Sequence, residues 1–545
     1  MKRTLSLFAL SVLGLALGAA SCSTPGQPAA SGAPPSPTPS NLRRVNPNVV
    51  EETPTYFIER LPKKEYILVD DRHVRHPRVG LPVEFFKEDD EYYYVYTARA
   101  IPEEEALKRR AEDQTLPPGA RTDEGAPPRH KGPTPPESDF TDITPARTPS
   151  SFRLEEVGAT GLPKGGLWRS SFAIADMNGD GIADIVAPPP RLTGDAKLQI
   201  FLGDGKGHFT RWPLTFVVDG KVKPEFSLDY GGVAVGDLDG DGQLDVVAAS
   251  HGFGLTALFG DGHGTFAVSR NGLKGWDFSA QGIALTDING HGLPDLVVSR
   301  DTYEPGLTGA WNPDQVQVFV NKGGRAFALK KDALVDASLS NSVTAWDYDR
   351  DGRGDALLGS NAFAALLLLF HNDGDGKLSQ VVVPDVEVWA YHLALAPGTF
   401  GRDRAPAFAD LFLKGNPEYE NGKASGINIH AYRGGKWEKH RVWRQRMSKA
   451  VLNTVALGDL DGDGLDDVVF PDSDLLRLRV FLQQADGSFR EIAEQDEPAI
   501  GPVPQFVRLV DLDGDGRLDV VLSKTAVSAE QGGWTVFLNR GKSSH

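Results

Sequence analysis

The stretch Asp511-Leu-Asp-Gly-Asp-Gly-Arg-Leu-Asp519, which runs directly into Val520-Val-Leu522, decides the fold that this sequence predicts. Alternating carboxylates place oxygen atoms on one side of a tight loop, and the glycine at the sixth position permits the sharp turn. Loops of this composition hold calcium in proteins, so the stretch is a candidate metal site. We number each such loop from its first aspartate, position 1, to its last, position 9.

The same spacing recurs through the C-terminal two-thirds of the chain. The pattern D-x-D-x-D-G-x-x-D is complete at 237–245, 347–355 and 459–467, and it has Asn178 at position 3 in the copy at 176–184. A weaker copy at 287–295 has Asn289 at position 3 and His291 at position 5. Imidazole is a poor partner for calcium beside oxygen ligands, so we expect this copy to be weak or empty.

The loops follow one another at a nearly constant period. They begin at residues 176, 237, 287, 347, 459 and 511, at intervals of 61, 50, 60, 112 and 52 residues. The long interval predicts one further repeat near residue 397, whose loop, Pro397–Asp403, has lost most of its carboxylates. Each unit carries four short β-rich runs, and four strands per unit of this length are typical of a β-propeller blade. The sequence therefore predicts an all-β fold, a seven-bladed β-propeller of four-stranded blades.

The seventh unit lacks a fourth β-rich run of its own after Phe537-Leu-Asn539. We expect residues 151–157 to supply this strand, because Ser151-Phe-Arg153 resembles Ser488-Phe-Arg490, which begins the fourth run of the preceding unit. Sharing a blade between the two ends of the repeat region would remove an open sheet edge.

These repeats resemble the FG-GAP/VCBS type, similar to the seven-bladed propeller of integrin α-subunits and to many bacterial surface proteins. The resemblance covers about residues 151–545. It implies that Ca²⁺ binds between the first two strands of a blade, through the side chains at positions 1, 3, 5 and 9 and the carbonyl at position 7. The implied ligands in the five complete loops are Asp176, Asn178, Asp180, Asp184, Asp237, Asp239, Asp241, Asp245, Asp347, Asp349, Asp351, Asp355, Asp459, Asp461, Asp463, Asp467, Asp511, Asp513, Asp515 and Asp519. Asp287, Asn289 and Asp295 form the weak set.

EF-hand and dockerin loops share the D-x-D-x-D-G spacing and are the alternative interpretation. They need an acidic residue at position 12, where the complete loops have Ala187, Ala248, Leu358, Phe470 and Leu522. A β-rich run also follows each loop, where an EF-hand would continue as a helix. Both features favour the propeller.

The composition limits the class of partner. The formal net charge of the 545 residues is −17, which argues against a nucleic-acid-binding protein, because phosphate binding needs a basic surface. Cys22 is the single cysteine, so we expect no internal disulfide.

The first 22 residues predict export. Lys2 and Arg3 precede an apolar run from Leu5 to about Ala20, and Ala19-Ala-Ser-Cys22 resembles the bacterial lipoprotein signal, in which the cysteine is lipidated. The resemblance implies a protein that is secreted across the inner membrane and lipid-anchored at Cys22, in the periplasmic outer membrane or at the cell surface. An ordinary secretory signal with an incidental cysteine is the alternative.

Five regions follow from composition. They are the signal segment 1–22, a flexible Pro-, Ala- and Ser-rich linker 23–49, a small α+β module 50–113, a Pro-rich linker 114–150 and the propeller 151–545. In the module, several β-rich runs precede a helix that we predict from Pro102 to about Asp113, with acids in its first turn.

Long insertions and aromatic residues fall at the blade ends opposite the aspartate loops, where binding usually resides on a rigid scaffold. The candidate ligand residues there are Trp168, Tyr230, Trp276, Tyr303, Trp311 and Tyr391. Flat aromatic area suits a glycan or protein ligand. For any one of these rings, packing between blades is the alternative.

The sequence predicts a calcium-stabilised, lipid-anchored binding or adhesion propeller, monomeric or a subunit of an envelope assembly. It contains no spaced catalytic motif, so no catalytic residue is assigned. The alternatives are a carbohydrate-active enzyme, such as a polysaccharide lyase, and a scaffold subunit of an envelope complex.

Overall fold

The computed structural model describes 49–52, 56–65, 67–68, 73–75, 83–98, 141–168, 170–191, 197–251, 254–275, 278–300, 312–333, 335–337, 343–359, 367–387, 390–414, 424–446, 454–501, 503–525 and 532–541. These residues form strands, turns and three short 3₁₀ helices, at Lys63–Glu65, Lys331–Ala333 and Glu494–Asp496. None of the helices in these ranges is long and apolar enough to cross a membrane. The predicted signal segment, Cys22 and the predicted helix at 102–113 lie outside the described residues.

An N-terminal sheet of six strands precedes the repeats, in the order β1-β2-β6-β5-β4-β3. The buried residues Leu61, Tyr93 and Val95 form its core, with Phe85 against them. The Asp89 carboxylate accepts N–H groups of Glu91 and Tyr92 and so closes the hairpin between the fifth and sixth strands. The strands are Val49–Glu52 (β1), Tyr56–Pro62 (β2), Ile67–Leu68 (β3), His73–Arg75 (β4), Val83–Glu88 (β5) and Tyr92–Ala98 (β6).

Small sheets, most of them four-stranded, make up the rest of the described chain, which confirms the all-β class of the repeat region and is consistent with β-propeller repeats. We number them sheets 1 to 7 in chain order. Sheet 1 contains Ala173–Ala175 (β9), Asp184–Ala187 (β10), Gln199–Gly203 (β11) and Phe209–Arg211 (β12). Sheet 2 contains Thr215–Val218 (β13), Lys221–Lys223 (β14), Gly231–Gly236 (β15), Asp245–Ser250 (β16), Gly254–Gly260 (β17) and Thr265–Ser269 (β18). Sheet 3 contains Ala280–Thr286 (β19), Asp295–Arg300 (β20), Asn312–Asn321 (β21), Phe327–Leu329 (β22) and Val335–Ala337 (β23).

The remaining sheets follow the same antiparallel order. Sheet 4 contains Val343–Trp346 (β24), Asp355–Leu358 (β25), Leu368–Asn372 (β26) and Leu378–Val381 (β27). Sheet 5 contains Ala390–Phe400 (β28), Ala405–Lys414 (β29), Ala424–Arg433 (β30) and Lys436–Arg446 (β31). Sheet 6 contains Ala456–Gly458 (β32), Asp467–Asp472 (β33), Arg477–Gln483 (β34) and Phe489–Ile492 (β35), and sheet 7 contains Pro504–Val510 (β36), Asp519–Lys524 (β37) and Gly533–Asn539 (β38).

The strand after each aspartate loop is buried on both faces. Every residue of β16 and of β33 is buried, and the core residues of the two strands are Val, Ala and Phe. Nearly continuous apolar runs are typical of strands covered on both sides, whereas half-buried strands alternate. The fully apolar runs in the sequence therefore identify the middle of each sheet.

Apolar clusters join consecutive sheets in pairs. One cluster combines Val247 of sheet 2 with Val298 of sheet 3, and another combines Ile427 of sheet 5 with Val468 of sheet 6. A further cluster joins sheet 1 to sheet 7 and includes Trp168. The Trp168 ring lies 5.1 Å from that of Trp534 and is buried. The Trp168 ring is therefore packed between two sheets, as the alternative interpretation predicts, and is not exposed at a surface.

Two short strands from the segment before sheet 1 complete sheets 6 and 7. Leu154–Glu156 (β8) pairs antiparallel with β38, which is the closure predicted for residues 151–157. Arg147–Thr148 (β7), in the region predicted as linker, pairs parallel with β35. The Arg147 guanidinium lies 3.3 Å from Glu491 and 3.4 Å from Glu497. Residues 147–156 thus bind to two adjacent sheets.

Sheet 5 replaces the aspartate loop with a shorter turn than the sequence predicts. Strand β28 continues through Phe400, so only residues 401–404 form the turn. Arg433 donates from Nε to Asp403 Oδ2 at 2.7 Å and from Nη2 to Asp403 Oδ1 at 2.9 Å. A bidentate ion pair of this kind fixes the turn without a metal.

We predict that Glu497→Gln stabilises the protein more at pH 8 than at pH 6. The Glu497 side chain is fully buried and neither carboxylate oxygen accepts a hydrogen bond. Burial raises its pKa from 4.5 to about 7, despite the opposing effect of Arg147. Because the pKa in the folded state is above that in the unfolded state, stability is lost as the pH rises from about 4.5 through about 7, by about 3 kcal/mol in all. About 1.4 kcal/mol of this loss falls between pH 6 and pH 8.

Thermal unfolding of both proteins at the two pH values checks this prediction. Glu494→Gln is the control, because Glu494 lies in the same turn with its side chain exposed. An equal gain at pH 6 and pH 8 would contradict the assigned pKa shift.

Candidate metal centres

In sheets 1, 2, 3, 4, 6 and 7, the predicted ligand residues lie together in one loop between two consecutive strands. These strand pairs are β9 and β10, β15 and β16, β19 and β20, β24 and β25, β32 and β33, and β36 and β37. Position 1 organises the loop: in sheet 7, Asp511 accepts N–H groups of Gly514 and Gly516 at 2.8 Å each. Gly514 and Gly516 have φ angles of 72° and 82°, in the left-handed region that favours glycine. Position 5 accepts the N–H of position 7, as Asp515 does from Arg517.

Position 9 is a buried carboxylate that joins the loop to the third strand. In sheet 7, Asp519 Oδ2 accepts the N–H of Leu512 at 2.8 Å, and Oδ1 accepts that of Asn539 at 2.7 Å. The same pair of bonds is made by Asp184, Asp245, Asp295, Asp355 and Asp467. Each carboxylate therefore has a structural role in addition to any role as a metal ligand.

Burial disfavours the ionised form of these carboxyl groups. It raises the pKa of Asp184, Asp355 and Asp519 to about 6, although two backbone N–H groups act in the opposite direction. The pKa of Asp245 is raised to about 7 by the same cause. The neighbouring loop carboxylates add repulsion, so a cation in the loop would favour the ionised form.

Position 3 contains oxygen atoms that lack a partner. Asp239 Oδ1, Asn289 Oδ1 and Asp513 Oδ1 are buried and accept no hydrogen bond. The other oxygens of Asp239 and Asp513 accept from Arg325 at 3.1 Å and from Arg540 at 2.7 Å. A buried polar atom without a partner costs about 1–3 kcal/mol, which a bound cation would offset.

The donor sets fit a hard cation. Carboxylate oxygens of Asp237, Asp239 and Asp245 lie within 4.8 Å of one another, and the same holds for Asp347, Asp349 and Asp351 and for Asp459, Asp461 and Asp467. Calcium prefers oxygen ligands of this type and tolerates their irregular geometry. The residues at positions 1, 3, 5 and 9 would hold it, as the sequence predicts.

Two histidine side chains lie close to loop carboxylates. His291 Nδ1 lies 3.1 Å from Asp287 Oδ1, and Asp287, His291 and Asp295 form a cluster of possible metal ligands. In sheet 4, His371 Nδ1 lies 3.2 Å from Asp355 Oδ1 and 3.4 Å from Asp349 Oδ2. No sequence pattern predicts that His371 lies here, because it belongs to the third strand of the sheet.

Amide side chains connect the loops of consecutive sheets, which sequence reasoning missed. Asn539 of sheet 7 donates to the carbonyl of Leu460 in the sheet 6 loop at 2.7 Å. Asn321 of sheet 3 likewise donates to Leu238 of sheet 2 at 2.7 Å. The signal was a recurring amide residue at the end of the third strand. These bonds link sheet 3 to the loop of sheet 2 and sheet 7 to the loop of sheet 6.

Comparison with known protein families supports the repeat assignment. A family model described as an FG-GAP-like repeat matches residues 192–248, 237–298 and 459–522. The chain carries FG-GAP-like repeats. The third matched range contains the loop of sheet 6 and extends through the loop of sheet 7.

Solved structures show only a distant likeness. The crystal structure of BBS1N in complex with ARL6DN, soaked with mercury, has a TM-score of 0.43 and 11% identity, and the match covers 73% of this chain and 99% of that one. The same complex soaked with lead has a TM-score of 0.41, 11% identity and the same coverage. A structure of S. cerevisiae dbp5 l327v bound to nup159, gle1 h337r, ip6 and adp has a TM-score of 0.38 and 10% identity, over 73% of this chain and 98% of that one. Similarities this low carry no argument about function.

The ends of the FG-GAP-like repeats opposite the loops contain part of the predicted ligand set. Tyr230, just before β15, stacks on His251 with ring centroids 4.8 Å apart, and the Arg191 guanidinium lies 5.0 Å from the Tyr230 ring. These three side chains are half-buried. Tyr391 lies at the start of β28 and is also half-buried. Trp276, Tyr303 and Trp311 lie outside the described residues.

Positions 3 and 9 are expected to respond differently to mutation. Asp513→Asn should leave the chelated protein almost unchanged, because it removes only an exposed pairing with Arg540, and should reduce the stabilisation by calcium. Asp519→Asn should destabilise even the chelated protein by about 1–3 kcal/mol, because one backbone N–H loses its acceptor.

Thermal unfolding in EDTA and in millimolar calcium measures both effects. Asp486→Asn, in an exposed turn of sheet 6, is the control for loss of one surface carboxylate. Identical profiles for the Asp513 and Asp519 variants would contradict the separation of roles.

Proposed function

We propose that this protein is a calcium-stabilised, lipid-anchored extracytoplasmic propeller that binds a glycan or a protein. The fold part of the proposal is a closed ring of seven blades, formed by sheets 1 to 7. It is supported by the apolar clusters, since each is shared by two consecutive sheets and the cluster around Trp168 and Trp534 joins the last sheet to the first. Ring closure buries the edges that separate sheets would expose.

Calcium is proposed at the five loops that begin at Asp176, Asp237, Asp347, Asp459 and Asp511. The observation that carries this part is the buried, unpartnered oxygen at position 3 of the loops of sheets 2 and 7. Carboxylates that converge without a counter-ion repel one another, and calcium would remove this repulsion. The ions would stabilise the blades and take no part in ligand contact.

Lipid anchoring is proposed at Cys22, on the sequence alone. We expect the exported protein to fractionate with membranes, and Cys22→Ser to release it or to leave an unprocessed precursor. Incorporation of radiolabelled palmitate into the wild type and its loss in Cys22→Ser distinguishes lipidation from an ordinary secretory signal. Equal labelling of the two proteins would contradict the anchor.

The proposed ligand surface is at the strand ends opposite the metal loops. Arg191 follows β10, Tyr230 precedes β15 and His251 follows β16, so three separate connections converge there. There the Tyr230 ring packs against the His251 imidazole and the Arg191 guanidinium. Such combinations of Tyr and Arg are frequent in the centres of binding sites, where they contribute area and hydrogen bonds together.

Tyr230→Ala is predicted to weaken ligand binding at least about tenfold, a loss of about 1.4 kcal/mol. A glycan array and an envelope pull-down with calcium-loaded protein identify the ligand, and titration of that ligand measures the affinity. His208→Ala is the control, because His208 is exposed in a turn at the metal-loop end. Equal losses in both variants, or in neither, would contradict the surface.

The same array separates binding from catalysis. Bound polysaccharides are recovered and analysed for shortened or unsaturated products. A binding module returns them intact. Products that depend on the protein would instead support the carbohydrate-active enzyme predicted as an alternative.

A further inference from the structure

The loop of sheet 3 is built differently from its neighbours. Position 5 is His291, where the other five aspartate loops have aspartate, and position 3 is Asn289. The loop therefore offers two carboxylates, Asp287 and Asp295, whereas the loop of sheet 2 offers four. A calcium ion takes six to eight oxygen ligands, and this loop has lost both charge and oxygen atoms.

His291 is held in a definite orientation. Its Nε2 lies 2.8 Å from the backbone carbonyl oxygen of Asn321. A carbonyl can only accept, so Nε2 carries the hydrogen and donates it. The opposite ring nitrogen, Nδ1, faces Asp287 Oδ1 at 3.1 Å. Histidines that bind metals characteristically donate their other N–H to a carbonyl or carboxylate in this way.

The ligand atoms have the spacing of adjacent positions around a small transition metal. Two ligands at about 2.0–2.1 Å from an ion, with an angle between 90° and 109°, lie roughly 2.9–3.4 Å apart. The separation of 3.1 Å between Nδ1 and Asp287 Oδ1 falls in this range. Ligand atoms of Asp287, His291 and Asp295 all lie within 4.8 Å of one another.

A second observation points to a missing partner at the same place. Asn289 Oδ1 is buried and accepts no hydrogen bond. From position 3 of the same loop, this atom would add a third oxygen donor to those of Asp287 and Asp295, beside the nitrogen of His291. One nitrogen and three oxygen donors suit Zn²⁺ or a similar divalent transition metal, for which imidazole is a good ligand.

We propose that the loop of sheet 3 binds a divalent transition metal, with Zn²⁺ as the test ion, through Asp287, Asn289, His291 and Asp295. The proposal rests on the metal-binding role proposed above for the loops as a group. It makes the ring a mixed-metal scaffold, in which position 5 selects the ion: aspartate selects calcium, and histidine selects the transition metal.

The competing state is a protonated His291 that occupies the loop in place of a metal. In that state Nδ1 also carries a hydrogen and donates it to Asp287. The two states predict opposite results for added zinc, because a protonated imidazole has no lone pair for a metal.

The test uses the full chain without a polyhistidine tag, stripped with chelator, saturated with calcium and then titrated with ZnCl₂. Zinc and calcium per chain are counted by mass spectrometry after equilibrium dialysis. We expect His291→Asp to bind one zinc fewer than the wild type and one calcium more, because it reproduces the position 5 aspartate of the sheet 2 loop. His291→Gln, which keeps an N–H for the Asn321 carbonyl, should weaken zinc binding at least about 100-fold.

His208→Asp is the matched control. His208 Nδ1 also lies 3.1 Å from an aspartate four residues earlier, Asp204, but both side chains are about half exposed. It should keep the zinc count and affinity of the wild type. His371→Leu measures any separate zinc binding by the sheet 4 loop. Leucine is chosen because Leu482 and Leu538 occupy the same strand position in sheets 6 and 7.

The outcomes distinguish a failure of the zinc proposal from a failure of the calcium proposal. Equal zinc counts in the wild type and His291→Asp would overturn the transition-metal site. If calcium still raises the melting temperature of both proteins, the calcium proposal stands and His291 is the protonated form. If neither ion changes the melting temperature or binds, the metal role of the loops is wrong as a whole.

Discussion

Six of the sheets depend on one interaction, a buried carboxylate that accepts two backbone N–H groups. Asp519 and its counterparts join the beginning of the aspartate loop to the third strand. A buried charge is tolerated only when it is paired and hydrogen-bonded, and here the main chain supplies both bonds. This contact fixes where the second strand begins, so the register of each sheet follows from it. The proposed metal sites therefore lie on a loop whose shape the protein chain already fixes through its own hydrogen bonds.

The charged residues in the connection before the second strand differ among the sheets in three ways. Most concentrate carboxylates that suit a hard ion. Sheet 3 replaces one carboxylate with His291, whose imidazole changes the kind of ion that fits. Sheet 5 has no aspartate loop and uses the Arg433–Asp403 ion pair instead. Sheet 5 shows that a repeat can keep its fold without the aspartate loop when a fixed cation of the chain pairs with the aspartate that remains.

Much of this architecture is predictable because it is local. The loop spacing, the apolar second strand and the missing strand of sheet 7 are all sequence patterns, and the structure places strands at each of them. Contacts between sheets leave weaker patterns. The link from Asn539 to Leu460 joins residues 79 apart, and β7 has only two residues in a Pro-rich segment. Trp168 resembled a surface residue because its partner, Trp534, lies at the far end of the sequence.

The position of β7 has a mechanical consequence. Tension that enters the repeats from the N-terminal side reaches the bridge between Ile143 and Arg444, then β7 and then β8. Strand β7 is held by two residue pairs with β35 and by the ion pairs of Arg147. Its detachment would lengthen the chain while β8 still closes sheet 7. We therefore expect the segment 147–156 to detach in two steps, with β7 released while β8 still pairs with β38.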